Sequence, residues 1–169
     1  MSLIGEMEIG LIILSFLIGS IPTGLWIAKA KGIDLRKVGS GNIGATNVLR
    51  AVGKEAALFT LLGDIAKGAI PVAIGKFSGL DILDTGIIGL SAIFGHNFSL
   101  FLKFKGGKGV ATSIGVLLAF SPHVALFIIT IWLITAKWTR YSSLSALIAF
   151  GVLPISIYML DYSKDKMII

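Results

Sequence analysis

In a chain of 169 residues, 55% hydrophobic against 14% charged side chains is more apolar surface than so small a soluble globule can bury, and the mean hydropathy of +0.92 points to lipid as its cover. The absence of cysteine excludes disulfides, thiolate metal sites and cysteine nucleophiles, and two histidines without an H-E-x-x-H spacing leave no metal-enzyme signature. The net charge of +6 would suit nucleic acid only as one exposed basic patch, and the basic residues are instead shared out between apolar stretches.

Residues 9–28 form the first span, twenty residues without a charge. Glu6 and Glu8 precede it where a cleaved signal peptide would carry basic residues. Residues 56–75 make a second span that holds Asp64 and Lys67, and residues 85–102 a third. The uncharged run 109–136 is 28 residues long, too long for one upright span, and is interrupted by "SPH" at 121–123. Two helices turning at Pro122 place Lys103, Lys105 and Lys108 on the same side as Lys137 and Arg140, as the positive-inside rule prefers. Residues 141–160 complete six crossings of an all-α membrane helix bundle. With the N-terminus outside, the inner loops also collect Lys29, Lys31, Arg36, Lys37, Arg50 and Lys54. The outer side keeps only Lys76, Lys164 and Lys166.

"GSGNIG", residues 39–44, satisfies the dinucleotide pattern G-x-G-x-x-G. A membrane helix and the polar run "KAKGIDLRK" precede it instead of a buried strand, so neither a βαβ unit nor a nucleotide cofactor fits. The glycines serve another anion. This first loop offers Ser40, Asn42, Thr46, Asn47 and Arg50. The second, "KFKGGKGVATS", offers Lys103, Lys105 and Lys108 around Gly106 and Gly107, then Thr112 and Ser113. Glycines let successive amides face an oxyanion as a nest while cations close over it. Gly109 follows Lys108 where a Walker A sequence requires Ser or Thr, so both loops read as phosphate sites of a non-nucleotide kind. Lys29, Lys31, Lys37 and Lys137 are expected to act as topology anchors, and Gly10, Gly19, Gly86 and Gly89 as helix-packing residues.

Asp64 and Lys67 lie three residues apart, one helical face, in mid-span, where each charge costs roughly 2.5–3.5 kcal/mol to insert. They are candidates for function or for an ion pair that ties helices together. His96, in "FGHNFS", is a candidate base or an interfacial hydrogen-bonding residue; His123 is expected in a solvated outer turn.

"GSGNIGATN", "DIAKGAIPV" and "GHNFSLFLKFKGGKGVATS" resemble, in order and spacing, three motifs of the bacterial acyl-phosphate:glycerol-3-phosphate acyltransferases, and the resemblance runs to about Ser145. It implies a membrane enzyme of the bacterial inner membrane that moves an acyl group from acyl phosphate to the 1-hydroxyl of sn-glycerol 3-phosphate. The products would be lysophosphatidate and phosphate, with no cofactor or metal. By resemblance Ser40, Asn42, Arg50 and Lys108 are catalytic. The expected phosphate-binding set is Asn47, Lys67, Lys105, Gly106, Gly107, Thr112 and Ser143, with Asp64 and His96 unassigned between site and scaffold. The His-x4-Asp pair of other glycerolphosphate acyltransferases is absent. An activated mixed anhydride requires no such pair, only positioning and electrostatics. Ser99 stands where the family usually carries Pro. The family also has a seventh span and a basic cytoplasmic tail, so residues 1–169 are expected to form a single acyltransferase domain lacking that last span, with "MII" as its possible start. The competing readings are a carrier for a phosphorylated solute, against which stands the lack of paired broken spans, and a structural lipid-binding protein.

Overall fold

The computed structural model describes residues 3–160. "DYSKDKMII", residues 161–169, with the outer charges Asp161, Lys164, Asp165 and Lys166 and the expected start of a further span, lies outside the described residues. Among the described residues all regular structure is helical: α1 (Leu3–Ser20), α2 (Thr23–Ala30), α3 (Ala45–Ala51), α4 (Lys54–Phe77), α5 (Ile82–Asn97), a 3-10 turn (Leu100–Leu102), α6 (Val110–Phe120), α7 (Pro122–Thr139), α8 (Ser142–Gly151) and α9 (Leu153–Leu160).

Helices form over each expected apolar stretch, though not all of them are long enough to cross. Pro22 supplies no amide and disfavours helical backbone at Ile21, so residues 9–28 divide into α1 and α2. The long run 109–136 breaks as expected: α6 stops at Phe120, Ser121 is extended, and Pro122 opens α7. Four stretches are long and apolar enough to cross a bilayer, Gly5–Ala30, Lys54–Phe77, Ile82–Leu102 and Pro122–Thr139. The pair α8 and α9, bent by 43°, adds a fifth if it is one span. α6 has 11 residues, about 16 Å of helix against a hydrocarbon core of about 30 Å. By length alone the crossings therefore number four or five.

The chain falls into two compact units, Met1–Val116 and Leu117–Ile169. In the first, α1 and α5 meet backbone to backbone: a Cβ on Gly19 would strike the Ala92 carbonyl, and one on Gly95 the Phe16 carbonyl. Serines cross-link the same seam. Ser15 donates to Ile88 O (2.7 Å), Ser91 to Ile12 O (2.7 Å) and Ser99 to Ser20 O (2.5 Å). Ser99 thus uses its hydroxyl to tie the start of the second loop to the end of α1. α4 carries Pro71 in its interior and meets α6 in the same close manner, Gly68 against the Thr112 carbonyl and Gly115 against the Ile65 carbonyl. Gly89 packs on Val116 and Val72, as expected of a packing glycine, whereas Gly10 and Gly86 have no atom within 4 Å of where a Cβ would stand. Helix periodicity puts a residue on a face, but only a neighbouring element makes that face an interface. In the second unit, Val124, Ile128 and Ala149 form a core that joins α7 to α8, edged by Leu117, Trp132 and Leu153. His123 is exposed there.

Candidate functional site

The first loop, residues 31–44, owes its shape to a buried asparagine. Ala28, Leu35, Val48, Ala56 and Ala57 form a small core beneath it, with Ile33, Val38 and Val52 packed at the edge. Asn47, 2% exposed, stands within that core at the start of α3. Its amide nitrogen donates to the carbonyls of Leu35 (3.3 Å), Val38 (3.1 Å) and Asn42 (2.9 Å), and its oxygen accepts from the Ser40 amide (2.9 Å). Asn42 adds a local turn by accepting from the Gly44 amide at 2.9 Å. Gly39 (φ +59°) is required twice, by its left-handed backbone and because a Cβ would run into Asn47 Oδ1. Ser40 on the folded loop and Arg50 in the last turn of α3 stay exposed. Asn47 therefore spends its polar atoms on the loop, which leaves the outward groups to meet a ligand.

The second loop differs from the nest expected of it. The Gly106 and Gly107 amides donate to the last carbonyls of α5, Asn97 O (3.0 Å) and His96 O (2.9 Å). These two N–H groups are turned away from any anion. Glycine is needed for close approach: a Cβ on Gly106 would strike the His96 carbonyl, and one on Gly107 the His96 ring at Nε2. The loop reaches this position through left-handed Lys103 (φ 51°) and Phe104 (φ 62°). Lys105 and Lys108 are exposed along it, and α6 begins two residues after Lys108 with the unsatisfied amides of a helix N-terminus. Thr112 is fully buried in α6, with its hydroxyl unpartnered and its carbonyl against Gly68.

The two loops touch through Arg36. Its guanidinium donates to the Gly41 carbonyl in the first loop (3.3 Å), and to the carbonyls of Lys105 and Gly106 (3.5 Å) in the second. Counting positive charges does not distinguish such a bridge from a topology anchor, so Arg36 is absent from the sequence-derived site. Its one sequence signal is its type, a fork donor three residues before Gly39.

Beneath the second loop lies the charged group of the second motif. Lys67 and Asp64 pair at 2.8 Å and are 5% and 2% exposed. Lys67 also donates to the Ile21 carbonyl (2.9 Å), which lies in the break before α2 and accepts from the Thr23 amide as well (3.0 Å). His96, 4% exposed, places Nδ1 3.8 Å from Asp64 Oδ1 without a hydrogen bond. The expected pairing of Asp64 with Lys67 is therefore present, and it joins α4 to the α1–α2 break and to α5. Among the described residues no group of three or more His, Cys, Asp or Glu side chains forms a metal-binding cluster. Ser143 is the second residue of α8, exposed, in the other unit.

A model of the glycerol-3-phosphate acyltransferase family matches residues 9–169. Relatives bearing that name include proteins of Sinorhizobium fredii (53% identical over 151 residues, 88% of this chain and 73% of the relative) and Geotalea daltonii (47% over 155 residues, 91% and 79%). A third, from Aquifex aeolicus, is 49% identical over 140 residues, 82% of this chain and 73% of the relative. The fold matches the crystal structure of PlsY, an integral membrane glycerol 3-phosphate acyltransferase, in its glycerol 3-phosphate form: the TM-score is 0.87 at 43% identity, over 95% of this chain and 80% of that one. The lysophosphatidic acid form gives 0.85 at 42% over the same shares. This multi-pass membrane chain belongs to the glycerol-3-phosphate acyltransferase family.

Proposed function

We propose that the chain transfers a fatty acyl group from acyl phosphate to the 1-hydroxyl of sn-glycerol 3-phosphate at the cytoplasmic face of the bacterial inner membrane. The observation that carries this reading is the joining of two cation- and glycine-bearing loops, more than sixty residues apart in sequence, by one guanidinium. A reaction between two phosphorylated substrates needs such a pair of neighbouring anion sites, and the family's name supplies the acceptor. PlsY crystallised in glycerol 3-phosphate and lysophosphatidic acid forms supports the acceptor and the product.

In this reading Arg50, Ser40 and Asn42 serve one phosphate. Lys108, Lys105 and the opening turn of α6 serve the other. Lys67, Asn47, Thr112 and the two loop glycines act by holding those groups in place. The hydroxyl oxygen of glycerol 3-phosphate attacks the acyl carbonyl, and the C–O bond to phosphate breaks with its electron pair on the leaving phosphate. The hydroxyl proton passes to a substrate phosphate oxygen, because His96 is buried and its ring is packed against Gly107. The cations lower the repulsion between the two phosphates and stabilise charge on the leaving group.

The test uses purified protein in detergent with palmitoyl phosphate, with and without glycerol 3-phosphate. Lysophosphatidate and phosphate are expected in equal amounts, only when both substrates are present. Uptake of glycerol 3-phosphate into proteoliposomes with no acylated product would instead establish the carrier reading. His96→Ala is expected to stay within about a hundredfold of wild type, the range of a lost positioning contact; a loss of three or more orders of magnitude would make His96 the base.

A further inference from the structure

We propose that Arg36 is a positioning residue that locks the first glycine loop to the second and so fixes the spacing between the two phosphate sites; the catalytic part of this inference rests on the function proposed above. The guanidinium is exposed, and of its acceptors only Gly41 is close in sequence. The other two, the carbonyls of Lys105 and Gly106, lie about seventy residues away. Each of those carbonyls belongs to a peptide unit whose N–H points the opposite way. The unit that carries the Lys105 carbonyl gives its N–H, that of Gly106, to Asn97 O, and the unit that carries the Gly106 carbonyl gives its N–H, that of Gly107, to His96 O. Both glycine peptides are therefore stretched between Arg36 on one side and the C-terminal carbonyls of α5 on the other. Hydrogen bonds in series through a peptide polarise one another, so a charged donor at one end strengthens the next bond as well.

The chain of contacts runs from Gly41 through Arg36 and the Gly106–Gly107 peptides to α5. Lys108 follows directly after the second of these glycines, and Ser40 directly before Gly41. The position of each phosphate-facing group is thus set relative to the other through one side chain. Lysine cannot replace it. An ammonium is a point donor without the planar fork needed to reach acceptors on two loops at once.

The lock and a mere inside-facing charge predict different outcomes for Arg36→Lys. Hydrogen exchange is measured in detergent for wild type, Arg36→Lys and Arg36→Ala, alongside steady-state acyl transfer. Both substitutions are expected to speed exchange about threefold or more in peptides covering residues 39–44 and 103–109, and not in α7, as loss of charge-assisted bonds requires. Turnover should fall about tenfold or more in both, with a smaller change in KM for glycerol 3-phosphate, since misplacement costs the transition state most. Guanidinium ion at millimolar concentration should restore part of the Arg36→Ala rate, whereas methylammonium should not. Wild-type exchange and turnover in Arg36→Lys would overturn the lock and leave Arg36 as a charge. Faster exchange with unchanged turnover would overturn its positioning role. A wild-type chain without acyltransferase activity would remove the functional reading on separate grounds, and exchange unaltered by Arg36→Ala would then overturn the structural lock too.

Discussion

Arg50 in the last turn of α3 and Lys108 in the second loop are exposed, whereas Lys67 buries its charge against Asp64 and a backbone carbonyl. Sequence alone finds all three as cations of motif segments, yet it does not separate the buried one from the two exposed ones. Arg50→Ala and Lys108→Ala should each remove a charge-assisted phosphate contact worth roughly 1.5–3 kcal/mol. That is about 10- to 150-fold in rate, read from acyl transfer by protein that still inserts. Lys137→Ala, in the last turn of α7, should lose less than about threefold on the same scale. Equal losses in Lys137→Ala and Lys108→Ala would erase the division between site cations and anchors. Asn47 shows the limit of reading residue types. An asparagine among glycines looks like a ligand group, but all of its bonds run to its own loop. Direction is a property of folded backbone, and no composition rule contains it.

Loops and helices were legible to different degrees at the scale of elements. Apolar length located four helices long enough to cross and the bent α8–α9 pair, but it also counted the 11-residue α6 as a crossing; "SPH" located the turn between α6 and α7 correctly. The break at Pro22 was hidden inside twenty uncharged residues, because hydropathy counts side chains and ignores missing amides. Glycine pairs permit the nest expected of the second loop, while the structure uses the same pair to lay the loop on the end of α5. That difference can be tested. A methyl group on residue 107 would collide with the ring of His96, so Gly107→Ala should lower the thermal midpoint in detergent and cut turnover by about tenfold or more, as overpacking plus misplacement predicts. In a His96→Ala background the ring is gone, and adding Gly107→Ala should cost far less stability than it does alone. If the two effects simply add, contact with His96 is not the reason for glycine at 107.

For the whole molecule the question is which side each loop faces. The 26 residues of Gly5–Ala30 lead up to Lys31, and the first loop and α3 then carry the chain to Lys54. From there α4 runs 24 residues, about 36 Å, longer than the roughly 30 Å hydrocarbon core, and ends just before Ser78. Lys31 and Ser78 are therefore expected on opposite sides. The excess of Lys and Arg from Lys29 to Lys54, against Lys76 alone near Ser78, predicts that Lys31 lies inside. The chain has no native cysteine, so a single introduced thiol reports without background, and both positions are exposed. In intact cells Ser78→Cys should react with a membrane-impermeant thiol reagent, and Lys31→Cys should react only after the membrane is opened. The reverse pattern would place both glycine loops outside, away from cytoplasmic glycerol 3-phosphate, and would overturn the proposed access. Reaction at both positions in sealed cells would show that α4 does not cross the membrane.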